Sequence, residues 1–108
     1  MAQVLEEYPE GINLVLCHND DTAIGALQAI QAADKEGISV IGFDGNSSAI
    51  ELIHSGDLTA TIAQQPALIG YMSVETAVDA LNGEEVEANV QIRTVMIDAG
   101  NYMDYLPE

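Results

Sequence analysis

Three polar side chains that can donate or accept hydrogen bonds each follow a short apolar run in this chain. They are Asn19, Asp44 and Gln64, which come after the apolar runs at 12–17, 38–43 and 58–63. An amide supplies two donors and an acceptor oxygen, whereas a carboxylate accepts two hydrogen bonds in one plane. Vicinal hydroxyl groups need both kinds of partner, so this set predicts hydrogen bonding to a small polyhydroxylated molecule.

Two of the three candidates also have a purely structural explanation. Asn19 precedes a predicted helix and is suited to cap it, although Asp20 is the stronger capping candidate because good first-turn residues follow it. Asp44 stands before Gly45, in a sequence that commonly forms an Asx-turn. Position at the end of an apolar run favours a binding role for Asp44, and leaves Asn19 evenly placed between cap and ligand.

Gln64 is harder to explain by local structure, because glutamine neither caps helices nor forms tight turns. Pro66 restricts the residue before it to extended backbone, and adjacent side chains on extended backbone point in opposite directions. Only one of Gln64 and Gln65 can therefore face the same side as the other candidates. Geometry inferred from the sequence does not decide between them.

The apolar patterns predict an α/β fold with a parallel sheet of three to four strands flanked by helices. The three runs are nearly continuous in apolar residues, as is typical of parallel strands covered on both faces. The connections between them are long enough for helical crossovers. In such a sheet, ligands bind in the crevice beyond the carboxyl ends of the strands, which is where the three candidates are expected.

The predicted helices have identifiable packed faces and ends. One apolar stripe starts after Asp20, and a second one belongs to a helix that starts at Pro66 and stops before Gly83. The stripes are Ala23, Ala26, Leu27, Ile30 and Ala33 in the first helix, and Val74, Ala77, Val78 and Leu81 in the second. Asn46, Ser47 and Ser48 are possible N-caps of a short helix that is expected to end near Gly56, and Ser48 with Glu51 fits a capping box. Further expected elements are a helix tail at 1–8, a last strand at 90–97 and a terminal helix or tail at 100–108.

Composition limits the classes of function. The 108 residues fit a single small domain at 1–108, and 18 acidic residues against 2 basic ones give a net charge of −16. Nucleic-acid binding requires clustered Lys and Arg, so no nucleic-acid partner is expected, and neither is docking on an anionic membrane. The first ten residues lack the basic start and apolar stretch of a signal peptide. Any export signal of a parent protein is therefore expected upstream.

Enzymatic and metal chemistry have little support in the sequence. Cys17 is the single cysteine, and on a strand its neighbour His18 would point to the opposite face. The two histidines, His18 and His54, lack the spacing and cysteine partners of a zinc site. No phosphate-binding glycine motif and no nucleophile–base pair are present. We expect no enzymatic activity, no cofactor and no bound metal.

Three segments together resemble a known family. The segments CHNDDTAIGALQAIQAA, VIGFDG and GDLTATIAQQPALIG are similar, in order and spacing, to the C-terminal half of type I periplasmic sugar-binding proteins of the ribose-binding kind. The resemblance implies a partial C-terminal lobe that binds a monosaccharide such as ribose, galactose or glucose for an ABC importer. It also implies a periplasmic or extracellular location. By this resemblance Asn19, Asp44 and Gln64, rather than Gln65, bind the sugar hydroxyl groups.

The same resemblance indicates what the chain lacks. In the family a second lobe clamps the sugar, and the helix at 66–82 crosses to that lobe. A chain without a counterpart of the second lobe is expected to bind sugar weakly or not at all in isolation. Its uncovered apolar surface is expected to favour a homodimer. The alternative function is the effector-binding core of a LacI-type transcriptional repressor, which shares the fold and similar motifs.

Overall fold

The computed structural model of the chain describes residues 1–106. Its helices are α1 (Ala2–Glu7), α2 (Asp20–Ala32), α3 (Ser47–Ser55) and α4 (Pro66–Leu81), and a 3-10 turn lies at Tyr102–Asp104. Its strands are β1 (Leu14–Leu16), β2 (Ser39–Asp44), β3 (Ala60–Ala63) and β4 (Val95–Asp98). Strands and helices alternate along most of the chain, as predicted. The last two residues of the tail expected at 100–108 lie outside the described residues.

The four strands form one sheet in the order β1-β2-β3-β4. The first three strands are parallel, with Leu16 opposite Ile41 and Asp44 opposite Ala63. Their carboxyl ends therefore lie side by side, which is the arrangement that the polar residues after the apolar runs require. The predicted α/β class and the flanking helices are confirmed.

The fourth strand differs from the all-parallel expectation, because β4 runs antiparallel to β3. Ala63, the last residue of β3, is the register partner of Val95, the first residue of β4. The chain thus leaves the sheet and re-enters it at the same end. A parallel strand would have required the connection to return along the sheet to its opposite end before entering β4. The strand is also shorter than predicted, covering 95–98 rather than 90–97.

The chain divides into two compact units. The first unit comprises Met1–Ala63 and the segment from Val95 onwards, and the second comprises Gln64–Thr94. The first unit contains the sheet and a core formed by helices α1, α2 and α3 against it. The buried residues of its main apolar cluster are Leu5, Ala23, Ile30, Val40, Ala49, Ile50, Ile53, Leu58 and Ile97.

The predicted stripe of α2 is confirmed over the length of the helix. Ala23, Ala26, Leu27 and Ile30 are all buried. Ala33 is exposed, because the helix ends at Ala32 and Ala33 is its C-cap. The period of 3.6 residues therefore identified the packed face correctly up to the last turn.

The start of α3 corrects the predicted capping box. The N-cap is Asn46, whose side chain makes no capping hydrogen bond, and the helix begins at Ser47. Ser48 lies inside the first turn, so it cannot cap a helix that has already begun, and the Ser48–Glu51 box was wrong. The C-terminal end is as predicted, since Gly56 adopts a left-handed conformation with φ 85°.

The second unit consists of α4 and the segment that follows it. Pro66 occupies the first turn, as predicted, and Gly83 follows the helix with φ 77°. No residue of α4 is buried. The expected packed face of Val74, Ala77, Val78 and Leu81 is therefore wrong, and Leu81 is 87% exposed. The remainder of this unit forms neither helix nor strand, so it offers no layer against which the stripe could pack.

Among residues 1–106, no helix has both the length and the apolar character needed to cross a membrane.

Candidate functional site

Two of the predicted site residues lie at the carboxyl ends of neighbouring parallel strands. Asp44 is the last residue of β2, and Asn19 lies three residues beyond the end of β1. Both belong to the first unit. Gln64 directly follows Ala63 at the end of β3, but it is the first residue of the second unit. Its contribution to a site shared with Asn19 and Asp44 therefore stays a prediction.

Asn19 is the N-cap of α2. Its Oδ1 accepts the backbone N–H of Thr22 at 2.8 Å, and the Thr22 side chain accepts the backbone N–H of Asn19 at 3.4 Å. The expectation that Asp20 is the stronger cap was wrong, since Asp20 is already the first helical residue. Because the Thr22 N–H can donate only to an oxygen, this hydrogen bond distinguishes Oδ1 from Nδ2 in the Asn19 amide.

Capping leaves half of the Asn19 amide available. The helix uses only the oxygen, and within residues 1–106 no hydrogen bond from Nδ2 is found. The side chain is half-buried at the end of β1. Cap and ligand are therefore compatible roles for Asn19, because each uses a different atom of the same amide.

Asp44 has an unusual backbone conformation. Its φ is 118°, and Gly45 after it has φ 81°. A Cβ on Gly45 would lie 2.5 Å from Cβ of Ala63. Only glycine fits at position 45, because the loop both requires a positive φ and passes close to β3. The strand end therefore turns sharply at Asp44, which is a half-buried residue.

A buried carboxylate holds this turn, and the sequence did not reveal it. Asp20 is 0% exposed. Its Oδ1 accepts the hydroxyl of Thr61 at 2.6 Å, and its Oδ2 accepts the backbone N–H of Asn46 at 2.7 Å. Thr61 in turn accepts the backbone N–H of Gly45 at 3.3 Å.

One sequence signal pointed to such a contact. Gly42 lies in the middle of β2, and a Cβ there would overlap Oδ1 of Asp20. A glycine inside a strand often marks the close approach of another group. The identity of that group is not legible from the sequence, because Asp20 and Gly42 meet only after the sheet has formed.

The two glutamines differ in their surroundings within the second unit. Gln65 is half-buried, and its Nε2 donates to the carbonyl oxygen of Arg93 at 2.5 Å. Gln64 is exposed. The amide of Gln65 is thus engaged within its own unit, and the choice of Gln64 rather than Gln65 as a sugar-binding residue stays a prediction.

An apolar recess opens at the same end of the first unit. It has a volume of about 450 Å³ and is lined by Leu16, Cys17, His18 and Phe43. Cys17 is a free, half-buried thiol. In the part of the chain that is described, no cluster of three His, Cys, Asp or Glu side chains could hold a metal ion. The chemistry available here is hydrogen bonding beside an apolar wall.

Comparisons with known proteins agree on one family. A sequence model of the periplasmic binding protein domain matches residues 1–85. The ribose import binding protein RbsB of Bacillus subtilis is 46% identical over 90 residues, which is 83% of this chain and 29% of that protein.

Solved structures match more of the chain. A solute binding protein of an ABC transporter from Actinobacillus succinogenes with bound D-allose has a TM-score of 0.87 at 30% identity, covering 96% of this chain and 36% of that one. The Caulobacter myo-inositol binding protein, bound to myo-inositol, has a TM-score of 0.83 at 32% identity, covering 95% and 36%. The chain thus spans about a third of the length of these proteins.

Proposed function

The chain belongs to the periplasmic binding protein family, and on that premise we propose that it is a carbohydrate-binding lobe of an ABC-transporter solute-binding protein. The observation that carries the proposal is that Asn19 and Asp44 lie at the carboxyl ends of two adjacent parallel strands. Crevices at this position are where α/β sheets bind ligands. The relatives named above are sugar- or polyol-binding proteins by their names.

Each of the three proposed sugar-binding residues makes a different contact. The carboxylate of Asp44 accepts hydrogen bonds from two vicinal hydroxyl groups, which a planar carboxylate does well. Asn19 donates from Nδ2 while its oxygen caps α2. Gln64 supplies a second amide, a role that rests on its place directly after β3 and on its exposure. The apolar recess beside Phe43 faces the carbon-bound hydrogens of the sugar ring.

The wider biology follows the family. The proposed ligand is a monosaccharide of the ribose, galactose or glucose type, the proposed partner is the membrane part of an ABC importer, and the proposed location is periplasmic or extracellular. The proposal includes no catalytic step. The net charge of −16 supports the absence of a nucleic-acid partner. Neither the fold nor the comparisons favour the alternative of a LacI-type repressor core.

Titration of the ¹⁵N-labelled chain with D-ribose and D-allose tests the proposal. We expect chemical-shift changes centred on Asn19, Asp44 and Gln64. The dissociation constant is expected near ~1 mM or weaker, because the contacts of this lobe alone must offset an association cost of ~4–15 kcal/mol. Submicromolar binding would contradict the expected weakness, and the absence of any response at high sugar concentration would contradict the proposed function.

A matched pair of variants makes the titration specific. Asp44→Asn removes one charged acceptor and is expected to weaken binding about tenfold or more, because hydrogen bonds to charged groups contribute ~1.5–3 kcal/mol. Asp34→Asn makes the same change at the other end of α2, at an exposed aspartate that also has a positive φ, 51°. The control variant is expected to bind like the unmodified chain. Equal affinities for the two variants would exclude Asp44 as a ligand.

A further inference from the structure

The backbone of Asp44 adopts an unfavourable conformation that must be stabilised by contacts with other residues. Its φ of 118° lies far beyond the left-handed helical region near ~57°, whereas Asp34, at 51°, lies within it. Strained residues of this kind persist only where the surrounding structure holds them. The groups that fix the backbone of Asp44 therefore determine the position of its carboxylate.

Two backbone N–H groups directly after Asp44 are bound from inside the first unit. The N–H of Gly45 donates to the hydroxyl oxygen of Thr61 at 3.3 Å, and the N–H of Asn46 donates to Oδ2 of Asp20 at 2.7 Å. Gly45 is also pressed against Ala63 of β3. These contacts fix both peptide units that follow Asp44.

Asp20 links the two N–H contacts into one network. Its second oxygen accepts the Thr61 hydroxyl at 2.6 Å. Because that hydroxyl proton is committed to Asp20, a lone pair of the Thr61 oxygen is turned toward the N–H of Gly45. The carboxylate is completely buried, and in the described residues no buried side-chain nitrogen or oxygen lacks a partner. Buried, charge-assisted and fully paired bonds are the stronger kind.

We infer that Asp20 is a positioning residue for ligand binding: through Asn46 and Thr61 it holds the strained turn that presents the Asp44 carboxylate to a sugar. The ligand role of Asp44 rests on the proposed function, whereas the control of its backbone does not. Asp20 itself contacts no ligand. Asp20 favours binding because it orders the turn in the sugar-free chain, so that the entropic cost of ordering the turn is not incurred when the sugar binds.

The network requires a carboxylate at position 20 for a chemical reason. Two donors, one hydroxyl and one amide N–H, approach separate oxygens of the same group. An asparagine would offer one acceptor oxygen and present an NH₂ group to the other donor. Gly42 leaves no space for the side chain to move aside, since even a methyl group there would overlap Oδ1 of Asp20.

The first test uses the sugar-free chain, so that it does not depend on the proposed function. Thr61→Val removes the hydroxyl at nearly constant volume, Thr61→Ser keeps it, and Asp20→Asn alters the carboxylate. We expect Thr61→Val and Asp20→Asn to change the three-bond HN–Hα coupling of Asp44 and to speed amide hydrogen exchange at Gly45 and Asn46. Thr61→Ser is expected to leave both measurements unchanged.

Thr59→Val is the matched control for general loss of stability. The Thr59 hydroxyl accepts the N–H of Val40 at 3.1 Å, two residues before Thr61. Its loss should leave the coupling of Asp44 unchanged. Should Asp20→Asn fail to fold, Thr61→Val still decides the question. An unchanged coupling and unchanged exchange in folded Thr61→Val would overturn the inference.

The second test measures the consequence for binding with D-ribose. Thr61→Val is expected to lower the affinity for D-ribose about tenfold, because one charge-assisted hydrogen bond is lost. Thr61→Ser and Thr59→Val are expected to bind D-ribose like the unmodified chain. If the unmodified chain shows no response to D-ribose while the coupling of Asp44 moves as expected, the proposed function fails and the control of the turn by Asp20 stands. If Thr61→Val alters the turn but binds D-ribose with unchanged affinity, the positioning role is overturned.

Discussion

At the scale of single residues, one amide and one carboxylate each combine a structural role with a proposed binding role, which the sequence presents as alternatives. The oxygen of Asn19 caps α2 at 2.8 Å from the Thr22 N–H, which leaves the amide nitrogen for a ligand. Asp44 ends a strand and is held in a strained turn by Asp20 and Thr61. In the proposed function, structural and binding roles are combined in the same side chains, because both need polar groups at strand ends.

The divided role of Asn19 leads to a prediction about a single atom. Asn19→Asp keeps the capping oxygen and replaces the donor nitrogen by a second acceptor. Helix capping by Asp is as good as capping by Asn, so the free energy of unfolding should remain near that of the unmodified chain, while the D-ribose response should be lost.

Asn19→Ala provides the comparison, because it removes cap and donor together. It should lose about 1 kcal/mol of stability as well as binding. Urea denaturation and sugar titration of both variants separate the two effects. Full D-ribose binding by Asn19→Asp would show that the nitrogen of Asn19 is not a ligand.

At the scale of elements, the helices differ in how they are used. The apolar stripe of α2 is buried against the sheet, whereas α4 has a comparable apolar sequence and buries nothing. Within its own unit, the residues that follow α4 form neither helix nor strand, so they provide no layer that could cover the apolar side chains of α4.

This contrast predicts different costs for the same substitution in two helices. Leu27→Ala in α2 removes a side chain that is 7% exposed, and it should cost ~2–5 kcal/mol in the free energy of unfolding. Leu81→Ala in α4, at 87% exposure, should stay within ~0.5 kcal/mol. Urea denaturation at low protein concentration measures both. A large loss for Leu81→Ala would show that α4 is covered in solution.

At the scale of the whole molecule, the chain has an uncovered apolar helix and about a third of the length of its relatives. Exposed apolar side chains on α4 include Leu68, Ile69, Tyr71, Val74, Val78 and Leu81. Contiguous apolar surface of this kind commonly marks an interaction site. The homodimer expected from the sequence stays a prediction, and α4 is the surface that supports it.

Sedimentation velocity over a range of protein concentrations checks the homodimer. We expect a concentration-dependent dimer, and the paired change Val74→Lys and Val78→Lys should shift it toward monomer by placing charges on the apolar face. Val4→Lys on α1, also at an exposed valine, serves as the control and should leave the dimer intact. A chain that sediments as a strict monomer at high concentration would contradict the prediction.

The sequence by itself determined the elements and the candidate ligands, because these depend on local patterns. Continuous apolar runs identified three strands, the 3.6-residue period identified the buried face of α2, and polar side chains after the runs identified Asn19 and Asp44. Gln64 was singled out in the same way, and by resemblance in preference to Gln65. Glycine and proline marked the ends of α3 and α4 correctly, since their backbone preferences act within a few residues.

Only the tertiary structure decided the features that depend on distant residues. The direction of β4 depends on where a long connection returns to the sheet. The lack of burial of α4 depends on which layer is present to cover it. The network of Asp20 joins residues up to 41 positions apart in the chain, so its carboxylate read locally as a helix cap. Hydrophobic periodicity describes what a segment is able to bury, whereas packing selects the partner against which it is buried.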